Sequence, residues 1–330
     1  MRDEILFYSI VSFLGLFIFS KISYKLNLLD IPNKRKKHSK PTAYTGGLII
    51  SFIYVASILI FNVKIQSLNS ILAIGLLISI VGFIDDKHQL GISGKLSLQI
   101  IPIIYLMIIE NLNLNQLGVY DNFNLELNSF SMPFTLLAVM FLINAFNYFD
   151  GLDGTLSFTV IPVIIILYFL SSDQFVKLFL VILLLPLSIF LCFNFSIFKL
   201  PKLFLGDSGS LLLGFIIAFT LVYIANQNII HPILLAWSIS IFVYEFLSIN
   251  LIRLQNNKNV FTAGLDHLHH ILIKRNKSLF FTNFLISTIN IFLFIVGHLS
   301  FKFINSSVSL LLFIFFFIIF FLTRIRLLKK

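Results

Sequence analysis

Asn144, Asn147, Asp150 and Asp153 stand within ten residues of an otherwise apolar region, in the stretch Asn144-Ala145-Phe146-Asn147-Tyr148-Phe149-Asp150-Gly151-Leu152-Asp153-Gly154. Their oxygens are hard donors, suited to a small divalent cation that shares its shell with phosphate. Asp150 and Asp153 are three apart and would share a face if the segment is helical. Gly151 and Gly154 remove bulk, so that a ligand can approach the backbone. A polar turn built on Asn and Asp is the plain alternative for this stretch taken alone. The apolar runs 132–143 and 155–170 on either side put it at a membrane boundary, where ionisable groups are costly and point to function.

Other groups of this kind follow the same pattern. Asp85 and Asp86 are adjacent at the end of an apolar run. At a helix C-terminus they oppose the dipole and repel each other unless a cation intervenes, and a divalent metal is the simplest such cation. A solvated acidic loop offset by Lys87 is the alternative. In Phe204-Leu205-Gly206-Asp207-Ser208-Gly209-Ser210, glycines flank one carboxylate, and Ser210 is placed to cap the next helix, whose N-terminus would suit a phosphate. His267, His269 and His270 follow Asp266 in one loop; they fit phosphate binding or proton transfer better than zinc, for which the loop has too few ligands. Glu245 and Arg253, eight apart, share a helix face, where a structural ion pair with another helix competes with a ligand role. The run Lys34-Arg35-Lys36-Lys37-His38-Ser39-Lys40 carries five Lys and Arg in seven residues and attracts phosphates; Gly46-Gly47 after it allows close helix approach.

The elements that must position these groups are membrane spans. Of 330 residues, 58% are hydrophobic and 12% charged, and the mean hydropathy is +0.99; soluble domains are about 25% charged. Crossing a bilayer takes about 20 mostly apolar residues. Eleven such segments are expected near 5–24, 46–63, 68–84, 96–110, 132–147, 155–171, 175–193, 210–226, 232–252, 280–300 and 307–323, giving an all-α polytopic protein in one membrane-embedded unit, 1–330. The run 5–19 lacks a basic start and a small-residue cleavage site, and is expected to be a retained span. The single cysteine, Cys192, rules out a disulfide framework within the chain and reads as a small core residue. Glu110, Asp121, Glu126 and Asp173 are expected to be solvated.

With the N-terminus outside and the C-terminus cytoplasmic, only Arg2, Lys64, Lys177 and Lys302 of the 24 lysines and arginines fall outside. The net charge of +10 is then a cytoplasmic-face charge, explained by topology alone or by attraction for anionic lipid and phosphate as well; for Arg324 to Lys330, topology is the simpler account. Asp85, Asp86, Asp150, Asp153, Asp207 and the three histidines all fall on that same face. Carboxylates, a hard cation, basic loops and histidines together describe phosphoryl transfer to or from a membrane-embedded substrate. The competing class is a secondary transporter of a sugar nucleotide or other anion. Transporters, however, place their ionisable sites near the midplane on broken helices, and here the acids stand at loop mouths with no evident internal repeat.

Over roughly residues 30–275 the chain resembles the polyprenyl-phosphate N-acetylhexosamine-1-phosphate transferases, in the bacterial branch that starts O-antigen, enterobacterial common antigen or teichoic acid assembly. The resemblance rests on Arg35-Lys36-Lys37-His38 with Pro41 and Gly46-Gly47, on Asp85-Asp86, on Asn144 to Gly154, on Gly206-Asp207-Ser208-Gly209-Ser210 and on His267-Leu268-His269-His270, in that order. It departs at Ala43, Thr155 and Glu245, where Pro, Leu and Asp are usual in the family. The His motif and the extra C-terminal span are unlike the muramoyl-pentapeptide branch. The resemblance implies transfer from a UDP-N-acetylhexosamine to undecaprenyl phosphate at the bacterial cytoplasmic membrane, with membrane lipid around the protein, a homodimer allowed and no nucleic-acid partner. It implies that Asn147 and Asp207 hold Mg²⁺, with Mn²⁺ as a substitute, and that Asp85 and Asp86 bind metal or deprotonate the lipid phosphate. It further implies that Asp150 and Asp153 position nucleotide or metal, that Asn144 belongs to the substrate-binding motif, that Phe204 stacks on uracil, and that Lys40, Arg253, His267, His269 and His270 contact phosphates or sugar.

The topology gives a first test. A cysteine at Ser93 is expected to label only from the cytoplasm and one at Asn122 only from outside; the opposite pattern at either site would mean that the span count is wrong.

Overall fold

The computed structural model describes residues 2–32, 40–61, 63–121, 123–260, 264 and 266–329. The basic run from Lys34 to His38, and Asn122, lie outside the described residues. The helices are α1 (Arg2–Lys25), α2 (Gly46–Ile60), α3 (Gln66–His88), α4 (Ile92–Ile109), α5 (Ser131–Phe149), α6 (Thr155–Leu170), α7 (Gln174–Asn194), α8 (Gly206–Asn226), α9 (Pro232–Ser238), α10 (Ser240–Gln255), α11 (Leu268–Asn276), α12 (Leu279–Phe303) and α13 (Ser306–Lys329). Two antiparallel pairs accompany them: β1 (Leu29–Asp30) with β2 (Thr42–Ala43), and β3 (Gln116–Tyr120) with β4 (Phe123–Glu126).

Each apolar segment expected from the sequence contains a helix, and the one expected at 232–252 is broken into two, α9 and α10. Eight of the described helices are long and apolar enough to cross a membrane, or nine if α9 and α10, bent by 72°, count as one span. The chain is therefore an all-α, multi-pass membrane protein. Helices α2 and α6 are the shorter apolar ones, of 15 and 16 residues.

Helix α8 is the axis of the bundle. Nearly all of it is buried, and it packs chiefly on α3 and α5. In apolar surroundings, helix contact depends on small residues that let backbones approach, and three glycines meet α8 in this way. A Cβ on Gly47 would run into the Gly209 backbone, and one on Gly82 would run into the carbonyl of Asp207 and come within 2.5 Å of the Ser208 Cα. A Cβ on Gly214, in α8 itself, would stand 2.7 Å from the Ile143 Cα of α5.

A 15-residue helix spans about 22 Å against a hydrocarbon core of about 30 Å, so the first amides of α2 need partners in the protein. Gly46 N–H donates to the Phe204 carbonyl (3.0 Å) and Gly47 N–H to that of Leu205 (2.8 Å), while Phe204 N–H donates to Ala43 (2.8 Å). The loop carrying Phe204 is thus stitched to the start of α2. At the break between α9 and α10, the buried Asn290 of α12 takes up the freed backbone groups: its amide donates to the Ser238 carbonyl (2.8 Å), and its oxygen accepts from Ile241 N–H (3.1 Å) and the Ser240 hydroxyl (3.3 Å).

Two carboxylates expected to be merely solvated have structural partners. Glu110 accepts from Gln66, Ser67 and Ser70, tying α4 to α3, and Asp173 caps α7 through Val176 N–H at 2.8 Å.

Overpacking a tight contact costs about 1–3 kcal/mol or more. Gly82→Val is therefore expected to lower the thermal aggregation midpoint of detergent-purified protein by several degrees. An unchanged midpoint would show that the α3–α8 crossing relaxes freely.

Candidate active site

The ends of α3 and α7 and the turn after α5 meet the starts of α6, α8 and α12 and helix α11 at one end of the bundle. With β1 and β2 they line a cavity of about 860 Å³. Asp86, Asp150, Asp153, Asp207, Phe204, His270 and Lys40 line it.

Successive residues of a helix point about 100° apart, and the paired aspartates accordingly have separate partners. Asp86 turns to the start of α8, where its carboxylate accepts from Asp207 N–H (3.1 Å) and Ser208 N–H (3.3 Å). These are orphan amides of a helix N-terminus, and a negative charge there complements the dipole. Asp85 accepts from Leu90 N–H (2.8 Å) and pairs with Lys95 (2.7 Å). The Lys95 ammonium also reaches Asp207 Oδ2 at 2.5 Å. Lys95 thus supplies a cation beside the adjacent carboxylates, and it joins Asp85 to Asp207 rather than to Asp86.

Asp207 Oδ1 accepts from the Asn147 amide (2.9 Å), which also donates to Ser210 Oγ (2.8 Å). Ser210 is not the cap expected from the sequence: α8 begins at Gly206, and the Ser210 hydroxyl donates back to the Asp207 carbonyl (3.4 Å). Gly206 has φ +71°, and a Cβ there would stand 2.6 Å from Asp86 Oδ2, so the turn into α8 favours glycine on both counts.

Asp153 pairs with Lys202 (2.6 Å), whose ammonium also lies over the Phe204 ring at 5.2 Å. The Asp153 carbonyl accepts from Asn283 of α12 (2.8 Å), and Asn283 Oδ1 accepts from the Thr155 hydroxyl (2.7 Å), so α12 fixes the turn that carries Asp150 and Asp153. Burial raises the Asp150 carboxyl well above the usual carboxylate range, and the charges of Asp207 and Asp153 raise it further.

Of the histidines, His270 reaches the cavity. His269 is buried against Gly151, where a Cβ would collide with its Nε2, and His267 stacks in parallel with His269 at 5.7 Å and edge-on to Tyr148 at 4.7 Å. Arg253 turns away into its own loop, forking onto Asp266 (3.0 and 2.8 Å) and donating to the Val260 carbonyl (2.8 Å). The Asn144 amide donates one turn back to Met140 (2.7 Å), and Asn144 does not line the cavity. Lys95 and Asn283 are site residues that the sequence did not single out. Lys95 looks there like one more topology lysine, standing just before the apolar segment 96–110.

Among the described residues, no three His, Cys, Asp or Glu side chains gather into a ready metal cage. Mg²⁺ needs none, since it takes one or two carboxylates and completes its shell with water and substrate phosphates. The hard oxygens of Asp207 and Asp150 at the cavity wall, with the amide of Asn147 against Asp207, have chemistry that fits such an ion.

The chain belongs to glycosyl transferase family 4, whose model matches residues 68–225, the stretch that carries Asp85, Asp86, Asp150, Asp153 and Asp207. It is 28% identical over 281 residues to the undecaprenyl-phosphate alpha-N-acetylglucosaminyl 1-phosphate transferase of Yersinia pestis, covering 83% of this chain and 77% of that one. The protein of the same name in Escherichia coli (strain K12) is 28% identical over 278 residues, 81% of this chain and 75% of that one. The probable undecaprenyl-phosphate N-acetylglucosaminyl 1-phosphate transferase of Bacillus subtilis (strain 168) is 30% identical over 264 residues, 78% of this chain and 72% of that one.

The loop histidine sets a pH dependence. Burial, opposed by Asp266 and reinforced by Arg253, His270 and Arg324, lowers His267 from 6.5 to about 4. For Asp266, burial acts upward but the Arg253 fork outweighs it, and its carboxyl lies below the usual range. Between about pH 6.5 and 4 the unfolded chain therefore binds a proton at His267 that the folded protein does not. The stability this represents is intact above pH 6.5 and lost as the pH falls. From pH 7 to 5 it amounts to about 2 kcal/mol. Followed by the fluorescence of the single tryptophan, Trp237, the thermal midpoint is expected to drop over that interval, and His267→Asn to flatten the drop. An equal drop in wild type and variant would assign it to other groups.

Proposed function

We propose that the protein transfers N-acetylhexosamine-1-phosphate from a UDP-sugar to undecaprenyl phosphate at the cytoplasmic face of the bacterial inner membrane, releasing UMP and starting a cell-envelope glycan such as O-antigen or teichoic acid. The observation that carries this reading is the arrangement around Asp207, a carboxylate held between Lys95 and Asn147 on the wall of the cavity. The cavity's volume of about 860 Å³ is within the usual range of about 300–1,000 Å³ for small-ligand sites. The names of the relatives agree with this chemistry. The site lies at the mouths of the helices, on the side that an eleven-span chain with the N-terminus outside would turn to the cytoplasm.

In net terms, a bond forms between an acceptor phosphate oxygen and the sugar-bearing phosphorus, and the bond from that phosphorus to the bridging oxygen breaks; the bridging oxygen leaves with UMP. Asp207, Asn147 and Asp150 are the residues that would hold Mg²⁺, whose chemistry is to offset charge on the diphosphate. Lys95 bridges Asp85 and Asp207, offsets their mutual repulsion and adds positive charge beside the diphosphate. Asp86 orients the first turn of α8 and, through it, Asp207. Phe204 offers a face to the uracil, with Lys202 on the same ring, while His270 and Lys40 reach phosphate or sugar from the rim. Asp85 serves as the base toward the lipid phosphate, below the pH at which a phosphate monoester, with its second pKa near 6, is already ionised.

Purified protein in detergent, given UDP-N-acetylglucosamine and undecaprenyl phosphate, is expected to release UMP with no sealed compartment present, which a transporter would not do. Asp207→Asn is expected to stay folded and to lose at least about 100-fold in turnover, about 2.7 kcal/mol of transition-state stabilisation. Wild-type turnover in excess chelator would remove the metal from this reading.

A further inference from the structure

Helix α13 is largely open to its surroundings, with 11% of its most apolar window buried, yet Arg324 near its end is 1% exposed. Taking a guanidinium out of water is expensive unless its donors are satisfied. Arg324 Nε pairs with Glu245 Oε2 at 2.8 Å, and Arg324 Nη2 donates both to Glu245 Oε1 (2.9 Å) and to the main-chain carbonyl of Asp266 (2.7 Å). Glu245, on α10, is also 1% exposed, and its Oε1 accepts from Leu268 N–H (2.8 Å), the first residue of α11. The peptide 266–268 is therefore gripped on both sides of His267: its carbonyl by the arginine, and its amide by the carboxylate that the arginine holds.

The register of α13 that delivers Arg324 is fixed farther along the helix. Trp237 Nε1 donates to Ser309 Oγ (3.0 Å), Ser309 donates to the Gly297 carbonyl (3.0 Å), and the Tyr244 hydroxyl donates to the Phe313 carbonyl (2.6 Å). Each is a contact of α13 with α9, α12 or α10. An arginine serving only membrane topology would sit in the headgroup region with its charge in water.

We propose that Arg324 is a positioning residue for the donor site: through Glu245 and the Asp266 carbonyl it sets the start of α11, and so places His269 and His270 against Gly151 and the cavity. The proposal rests on the reading of that cavity as the site of a nucleotide sugar. Arg324 touches no substrate in this scheme and acts through the segment it holds.

Truncating Arg324 alone would leave Glu245 as a buried unpaired carboxylate and could unfold the protein. The informative variant is Arg324→Met/Glu245→Gln, in which no charge is stranded and the glutamine oxygen can still accept from Leu268 N–H. It is expected to keep a thermal midpoint close to wild type. The apparent KM for UDP-N-acetylglucosamine should rise about tenfold, with little change in the KM for undecaprenyl phosphate or in turnover at saturating donor. Arg324→Lys should recover part of the donor KM. Amide hydrogen exchange in the peptide spanning 266–272 should quicken at least tenfold in the double variant, and this measurement does not depend on turnover. An unchanged donor KM, with turnover reduced only in proportion to folded protein, would overturn the positioning role, as would unchanged exchange. If wild-type protein released no UMP, the activity reading would fail, and the exchange measurement would still decide whether Arg324 holds the segment.

Discussion

Carboxylates gathered at one end of a bundle of apolar helices are the constraint on which the rest of the structure depends. Asp85, Asp86 and Asp207 come close together in surroundings that only partly hydrate them, and each needs compensation within the protein. The compensation comes from different sources. Asp86 has the first amides of α8, Asp85 and Asp207 share Lys95, and Asp207 also has the Asn147 amide. Because these partners belong to α3, α4, α5 and α8, the electrostatics of the site and the packing of the central helices are one problem. The glycines at the α2–α8 and α3–α8 crossings belong to the same solution, since a wider crossing would carry the amides of α8 away from Asp86.

Much of this was legible in the sequence. The apolar segments announce themselves by length and composition, and each contains a helix. The bias of lysine and arginine to one set of loops puts all the acidic motifs on one face before any contact is known. Asp86, Asp150, Asp153 and Asp207, which line the cavity, stand next to long apolar runs, which is where a charge is hardest to explain without a role. Asp86, Asp150, Asp153 and Asp207 come together because consecutive antiparallel helices bring their ends to one side.

Pairing was not legible. A sequence shows that adjacent carboxylates need a cation, but it does not show that Lys95, from the following helix, supplies one, because partner choice depends on crossing angle and register. Arg253 and Glu245 share a helix face, and yet one turns to Asp266 and the other to Arg324, 79 residues away. A terminal arginine in a basic tail has an adequate explanation in topology alone, and its burial becomes visible only once α13 is docked. Asn144 shows the opposite case: it stands in the motif, but its amide is spent on its own helix.

The elbow between α9 and α10 bears on the placing of α10. A helix broken inside a bilayer exposes carbonyls and amides that, in a transporter, make a seat for an ion. Here the carboxamide of Asn290, on a neighbouring helix, occupies those groups from both sides of the bend. The bend is thereby splinted, with one carboxamide from a neighbouring helix holding a carbonyl before it and an amide after it. The two halves of this segment are held at a set angle through one side chain of α12, which ties the place of α10, and with it Glu245 and Arg253, to that of α12.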